Sequence, residues 1–214
     1  MTTGIDIRHY TADQAPTLRP LLLDMYAEVY EDAAQSDPFA SIDRYAAGLD
    51  GWSSRPGWSC VVGYDGDESV GYAYGAPLPE GARWWGGLLT DVPAEVVAET
   101  GTRTYALSEL MVRRPWRKTG ASHQLHTALL SARPEQRATL LVDQTHPKVH
   151  HLYENWGWQT LGDLRPRIEN APLFHAMLLP LHDAQWQRAV SPSSMDPDQI
   201  EGDARRDPSR RPIC

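Results

Sequence analysis

Residues 4–10, GIDIRHY, alternate apolar and polar side chains, the period-two pattern of a strand with one face in a core. Thr11 or Asp13 is placed to cap a helix, and Leu18, Leu21, Leu22, Met25 and Val29 then recur at steps of three and four. That stripe predicts a helix to about residue 33, and a weaker one follows from Ser41 to Leu49, stopping at Gly51. Two strands, 57–64 and 69–77, flank the turn sequence Asp65-Gly66-Asp67 and read as a hairpin. Between Leu78 and Arg103 the pattern loosens around Trp84, Trp85, Gly86 and Gly87, with Asp91, Pro93 and Gly101 framing a short helix. A connection of this length inside a compact domain reads as a functional loop. TYALSELMV, residues 104–112, is an apolar strand interrupted by Glu109, and ASHQLHTALLSA, 121–132, is a helix with Leu125, Leu129 and Leu130 on one side. RATLLVDQ predicts a strand, PKVHHLYENW a helix, and GWQTLG with APLFHAMLLPL two closing strands. The order predicts a mixed α/β domain around one sheet over residues 1–189. Residues 190–214, with four prolines and almost no apolar content, are expected to be a disordered tail.

Charge narrows the function. The 214 residues carry a formal net charge of -8, which argues against nucleic acid, since phosphate-backbone binding needs clustered Lys and Arg over a broad surface. No apolar run approaches the roughly 18–20 residues of a membrane span, and the polar start lacks a signal peptide's apolar stretch. Two cysteines, Cys60 and the terminal Cys214, do not make a disulfide framework. The expectation is a soluble cytoplasmic protein, a monomer or homodimer, with no membrane or nucleic-acid partner.

Against that acidity one segment stands out. Arg113, Arg114, Arg117 and Lys118 fall within six positions, between the strand ending at Val112 and the helix beginning after Gly120. A helix start leaves backbone N–H groups without intrahelical partners at the positive end of the macrodipole, so such a turn suits a phosphate. Thr119 and Ser122 add hydroxyl donors. Taken alone, such a run is more often a solvated surface loop than a phosphate site.

The segment Arg117-Lys118-Thr119-Gly120-Ala121-Ser122 resembles the acetyl-CoA-binding motif of the GNAT acetyltransferase superfamily, Arg/Gln-x-x-Gly-x-Gly/Ala, with Ser at the last position. Thirty-three residues on from Gly120, Tyr153, Gly157 and Trp158 resemble the family's second signature, a helix ending in Tyr-x-x-x-Gly-aromatic. His146 stands where family members often have Asn. The resemblance implies a GNAT-like fold: a mostly antiparallel mixed sheet, splayed between its fourth and fifth strands and flanked by about four helices. It implies pantetheine in the gap, paired with the backbone of Met111, Val112 and Arg113. The N–H groups from Arg117 through Ser122, extending to His123, would then hold the pyrophosphate, with Arg113 facing either solvent or the 3′-phosphate. Acetyl-CoA is the implied co-substrate, and Tyr153 the implied general acid near the sulfur.

An alkyl ammonium of pKa about 10.4 must lose a proton before it attacks a thioester, which costs on the order of 4–5 kcal/mol at pH 7. Glu109, a carboxylate in an apolar strand, is the candidate base, with a water relay or a purely structural carboxylate as alternatives. His123 with His126 and His146 with His150 sit at helical spacing, yet no carboxylate or Cys pattern completes a zinc set; no metal is expected, and these read as surface or partly buried side chains. Tyr26, Tyr30, Glu31, Trp84 and Trp85 are candidates to frame a cationic small-molecule amine. An acceptor on a protein N-terminus or lysine, or a non-catalytic acyl-CoA-binding module, are the alternatives.

Overall fold

The computed structural model describes residues 4–31, 40–168 and 170–182. The expected tail of 190–214, and the end of the first predicted helix beyond Glu31, lie outside the described residues.

Among the described residues seven strands form one sheet: β1 (Asp6–Thr11), β2 (Ser59–Asp65), β3 (Glu68–Pro77), β4 (Thr104–Val112), β5 (Arg137–Asp143), β6 (Gln159–Leu164) and β7 (Phe174–Pro180). Their spatial order is β1-β2-β3-β4-β5-β7-β6, with only β4 and β5 parallel. Among the described residues five α-helices accompany them: α1 (Ala15–Val29), α2 (Ile42–Ser53), α3 (Ala94–Val97), α4 (Ala121–Leu130) and α5 (Pro147–Asn155). Against the about four flanking helices of the resemblance, the fifth is the short helix framed by Asp91, Pro93 and Gly101, a single turn inside the 78–103 connection.

Two helical layers cover the sheet. On one face Leu18, Leu22, Met25 and Tyr26 of α1 and Tyr45 and Leu49 of α2 pack on Tyr72, Tyr74 and Met111. On the other, Leu125, Leu129 and Leu130 of α4 and Tyr153 of α5 pack on Leu107, Val112 and Leu140. The α2 helix does not stop at Gly51 but runs to Ser53. An internal glycine costs a helix only about 1 kcal/mol, and Trp52 beyond it packs against two core clusters, while Asp50 takes a two-pronged ion pair from Arg19.

The strand pair β4 and β5 stays together for three residues, Thr104 with Arg137, Tyr105 with Ala138 and Ala106 with Thr139, and then parts. A bulge lies just beyond the vertex. Gly75 opposes Leu107 and Tyr74 opposes Glu109, so Ser108 is an extra residue in β4. Bulges bend a strand and re-aim its side chains. Were alternation unbroken, with Ser108 an ordinary strand residue, Glu109 would share the face of Tyr105 and Leu107, under α4; with Ser108 bulged, Glu109 and Met111 turn to the α1/α2 face beside Tyr72 and Tyr74.

Candidate functional site

Glu109 stands on the open flank of β4, half-buried among tyrosines. Desolvation raises its carboxyl to about 8. Its charge in turn reaches the phenols of Tyr45, Tyr72, Tyr74 and Tyr153, each already pushed upward mainly by burial. These hydroxyls form an ordered set: Tyr45 meets Tyr72 at 2.7 Å, and Tyr72 donates to the Met111 sulfur at 3.1 Å. Because the sulfur accepts only, Tyr72 must take its second hydrogen bond from Tyr45. The rings of Tyr30, Tyr26 and Tyr45 stack in succession, with centroids 4.5 and 3.9 Å apart.

Tyr153 ends α5 on the far side of the split. It is 8% exposed, and burial first, then Glu109 and Tyr30, keep its phenol protonated. No acceptor for its hydroxyl occurs among the described residues. Beneath it Trp156 and Trp158 pack edge-on at 5.4 and 5.8 Å, around His126. His126 is fully buried, where the helical spacing suggested at most partial burial. It accepts from Trp158 Nε1 at 2.9 Å, and burial lowers its pKa to about 3, so the ring stays neutral.

The basic loop is held by its own atoms. A 3-10 turn spans Arg114–Trp116, Thr119 Oγ1 donates to Trp116 O at 2.7 Å, and Arg117 Nε donates to Val112 O at 3.2 Å. Lys118 and Gly120 have φ of 65° and 86°, the left-handed conformation from which anion-binding nests are built. The amides of Lys118, Thr119, Gly120, Ala121, Ser122 and His123 find no acceptor among the described residues. The Arg117 amide differs, bonding Arg114 O at 3.3 Å.

Strand geometry sorts the other nominated backbone groups. Arg113 N donates to Val70 O at 2.9 Å, toward β3. Since successive residues direct their N–H and C=O to opposite sides, Met111 also faces β3, and Val112 and Leu110 face the gap. The guanidinium of Arg113 is occupied too, bonding Asp24 at 2.9 Å, Glu28 and Ser69. Of the four basic side chains, this one fastens α1 to the end of β4, and Arg114, Arg117 and Lys118 remain exposed.

Among the remaining candidates, Tyr26 and Tyr30 join the tyrosine set. Trp84 is half-buried, donating from Nε1 to Thr139 Oγ1 at 3.3 Å, at the vertex of the split. Trp85 is buried and its Nε1 is taken by Glu99 at 2.8 Å, so it supports the fold. Glu31 is exposed at the end of α1. His146 is exposed at the head of α5, its Nδ1 2.7 Å from Thr145 Oγ1. Tyr45, Tyr72 and Tyr74 were missed by sequence reasoning, although the alternation in GYAYG, next to a strand containing Glu109, pointed to Tyr72 and Tyr74; Tyr45, in α2, carried no such signal.

Among the described residues no group of three His, Cys, Asp or Glu side chains is placed to hold a metal, and no helix is long and apolar enough to cross a membrane. Cys60 is fully buried and its thiol is pushed upward by desolvation, which leaves it a poor nucleophile.

Comparison with known proteins bears on the family and the fold. The sequence pattern of the acetyltransferase (GNAT) family matches residues 17–158. No curated protein matches. Among solved structures, an aminoglycoside 6′-acetyltransferase type Ii superposes with a TM-score of 0.56 at 18% identity, over 83% of this chain and 98% of its own. An acetyltransferase from Streptococcus agalactiae gives 0.57 at 13% identity, over 84% and 99%. A spermidine/spermine N-acetyltransferase from Vibrio cholerae gives 0.52 at 13%, over 88% and 100%.

Proposed function

The chain belongs to the GNAT acetyltransferase family, and from that premise we propose that it transfers the acetyl group of acetyl-CoA to a primary amine of a small molecule, by direct attack when both are bound. Coenzyme A supplies an activated thioester. The six free amides from Lys118 to His123 would take the pyrophosphate, with Arg117 and Lys118 adding charge. The backbone of Leu110 and Val112 on the open edge of β4 would pair with the pantetheine amides. On this reading the acetyl carbon comes to rest near the bulge, between Glu109 and Tyr153.

Glu109 accepts a proton from the acceptor ammonium, directly or through water, and its raised pKa matches that task better than an ordinary carboxylate would. The amine nitrogen then bonds to the acetyl carbon as the carbon–sulfur bond breaks. Tyr153, kept protonated, donates a hydrogen bond to the sulfur as negative charge develops there. A phenol of pKa about 10 is a weaker acid than a thiol of about 8.5. Full proton transfer from Tyr153 is therefore unnecessary, and the thiol's proton comes from the nitrogen. The balance is an ammonium and a thioester giving an amide, a free thiol and one proton released through Glu109.

The observation that carries this reading is that the charge of Glu109 on β4 acts on the Tyr153 phenol of α5 across the split, a pairing that a module merely binding acyl-CoA would not require. The neighbours named for aminoglycosides and for spermidine support an amine acceptor. Incubating the protein with acetyl-CoA and a panel of amines, and following thiol release, tests it. Release above the hydrolysis background with at least one amine is expected; none with any amine favours the non-catalytic reading.

A further inference from the structure

The 78–103 connection closes one side of a groove of about 900 Å³, within the range of small-molecule sites. Pro56, Pro77 and Trp84 give it apolar walls, and Arg55, Arg83 and Glu80 bring its charge. Neither guanidinium has an ion-pair or side-chain hydrogen-bond partner among the described residues. Arg55 instead lies 3.7 Å over the Trp52 ring, which holds its planar fork in place. Two uncompensated arginines against one carboxylate reverse, locally, the sign of a chain with net charge -8.

The groove adjoins the reaction centre. Its wall Trp84 bonds Thr139, the last residue of β5 paired with β4. Trp84 also meets Trp52 of α2 edge-on at 5.9 Å, so groove and tyrosine set share that helix. Glu109 lies three residues past Ala106, the partner of Thr139, which is about 10 Å of strand at most. A ligand of ordinary metabolite size spans that distance.

Resting on the acetyl-transfer reading above, we infer that this groove holds the body of the acceptor and that Arg55 and Arg83 bind an anionic group at its far end. The acceptor is then an amine carrying a carboxylate at the opposite end of an apolar body. Polycations of the aminoglycoside or polyamine kind, the compounds for which two structural neighbours are named, would place positive charge beside the two arginines. Planar guanidinium groups favour carboxylates by paired hydrogen bonds, and a site built to bond a polar group discriminates strongly against ligands lacking it.

The test uses three acceptors of equal length: 6-aminohexanoate, 6-aminohexanamide and hexane-1,6-diamine. For the full chain the first should exceed the other two at least tenfold in kcat/KM, chiefly through KM. The R55Q/R83Q variant should lose that preference without a change in KM for acetyl-CoA, and R55K/R83K should keep part of it. Calorimetric binding of the product, 6-acetamidohexanoate, gives a readout independent of turnover, and its affinity should fall at least tenfold in R55Q/R83Q. Acetyl transfer without carboxylate preference, or a preference that survives R55Q/R83Q, overturns the groove assignment and leaves the acetyltransferase intact. No transfer to any amine, with product binding that still depends on the arginines, removes the acetyl-transfer reading and keeps the anion site; absence of that binding overturns the groove assignment whatever the activity.

Discussion

Two side chains carry the proposed chemistry, and both are legible in how burial treats their protons. Glu109, raised to about 8, is mostly protonated at neutral pH and becomes a base as pH rises. We expect kcat/KM for the acceptor to climb through about pH 8 in wild type, and Glu109→Gln to lose that inflection with at least a 100-fold fall in rate. The same shift has a stability consequence. Between the unfolded pKa of about 4.3 and the folded value near 8, the unfolded chain has released a proton that the native state still holds, so stability falls as pH rises across this window. Thermal melts at pH 8.5 should therefore show Glu109→Gln unfolding at least about 3 °C above wild type, roughly the effect of 1 kcal/mol in a domain of this size; at pH 4 the difference should vanish. Tyr153→Phe removes a donor and leaves the packing in place. It should lower kcat about 100-fold with acetyl-CoA affinity within twofold, and unchanged turnover would exclude Tyr153 from the reaction.

At the scale of elements, the position of Gly120 matters more than its side-chain space. A Cβ there meets nothing within 4 Å, but φ is 86°, so Gly120→Ala costs about 1–2 kcal/mol of backbone strain at the helix start that presents the amides. Acetyl-CoA KM should rise about tenfold with little change in kcat. Arg113 provides a contrast on the same loop: its charge is spent on Asp24 and Glu28. Arg113→Ala should lower the melting temperature and change acetyl-CoA affinity less than Arg117→Ala does; the reverse order would mean that Arg113 swings round to the phosphates. The sequence stated the elements well because each has one apolar face, as with the α1 stripe at Leu18, Leu22 and Met25. It was silent on the Ser108 bulge, since an extra strand residue has no signature of its own, and strict alternation assigns Glu109 to the wrong face. It likewise did not reveal that Arg113 reaches across to α1, because a long-range ion pair leaves no local pattern.

For the whole molecule, the split sheet is the feature that brings together the basic loop, Glu109 and Tyr153. On the α1/α2 side the tyrosines pack beside Met111 of β4, and the groove beside Trp84 borders that layer through Trp52 of α2. The amides at the head of α4 open onto the end of the same split. The sequence predicted this division between the fourth and fifth strands through its family resemblance, whereas the groove depends on how the 78–103 connection folds back beside α2. The most direct test is residue-resolved amide hydrogen exchange with and without coenzyme A. The account predicts slowed exchange at Leu110, Val112 and residues 118–123, with Met111 and Arg113, already bonded toward β3, unaffected. Unchanged exchange at 118–123 in the presence of saturating coenzyme A would contradict it.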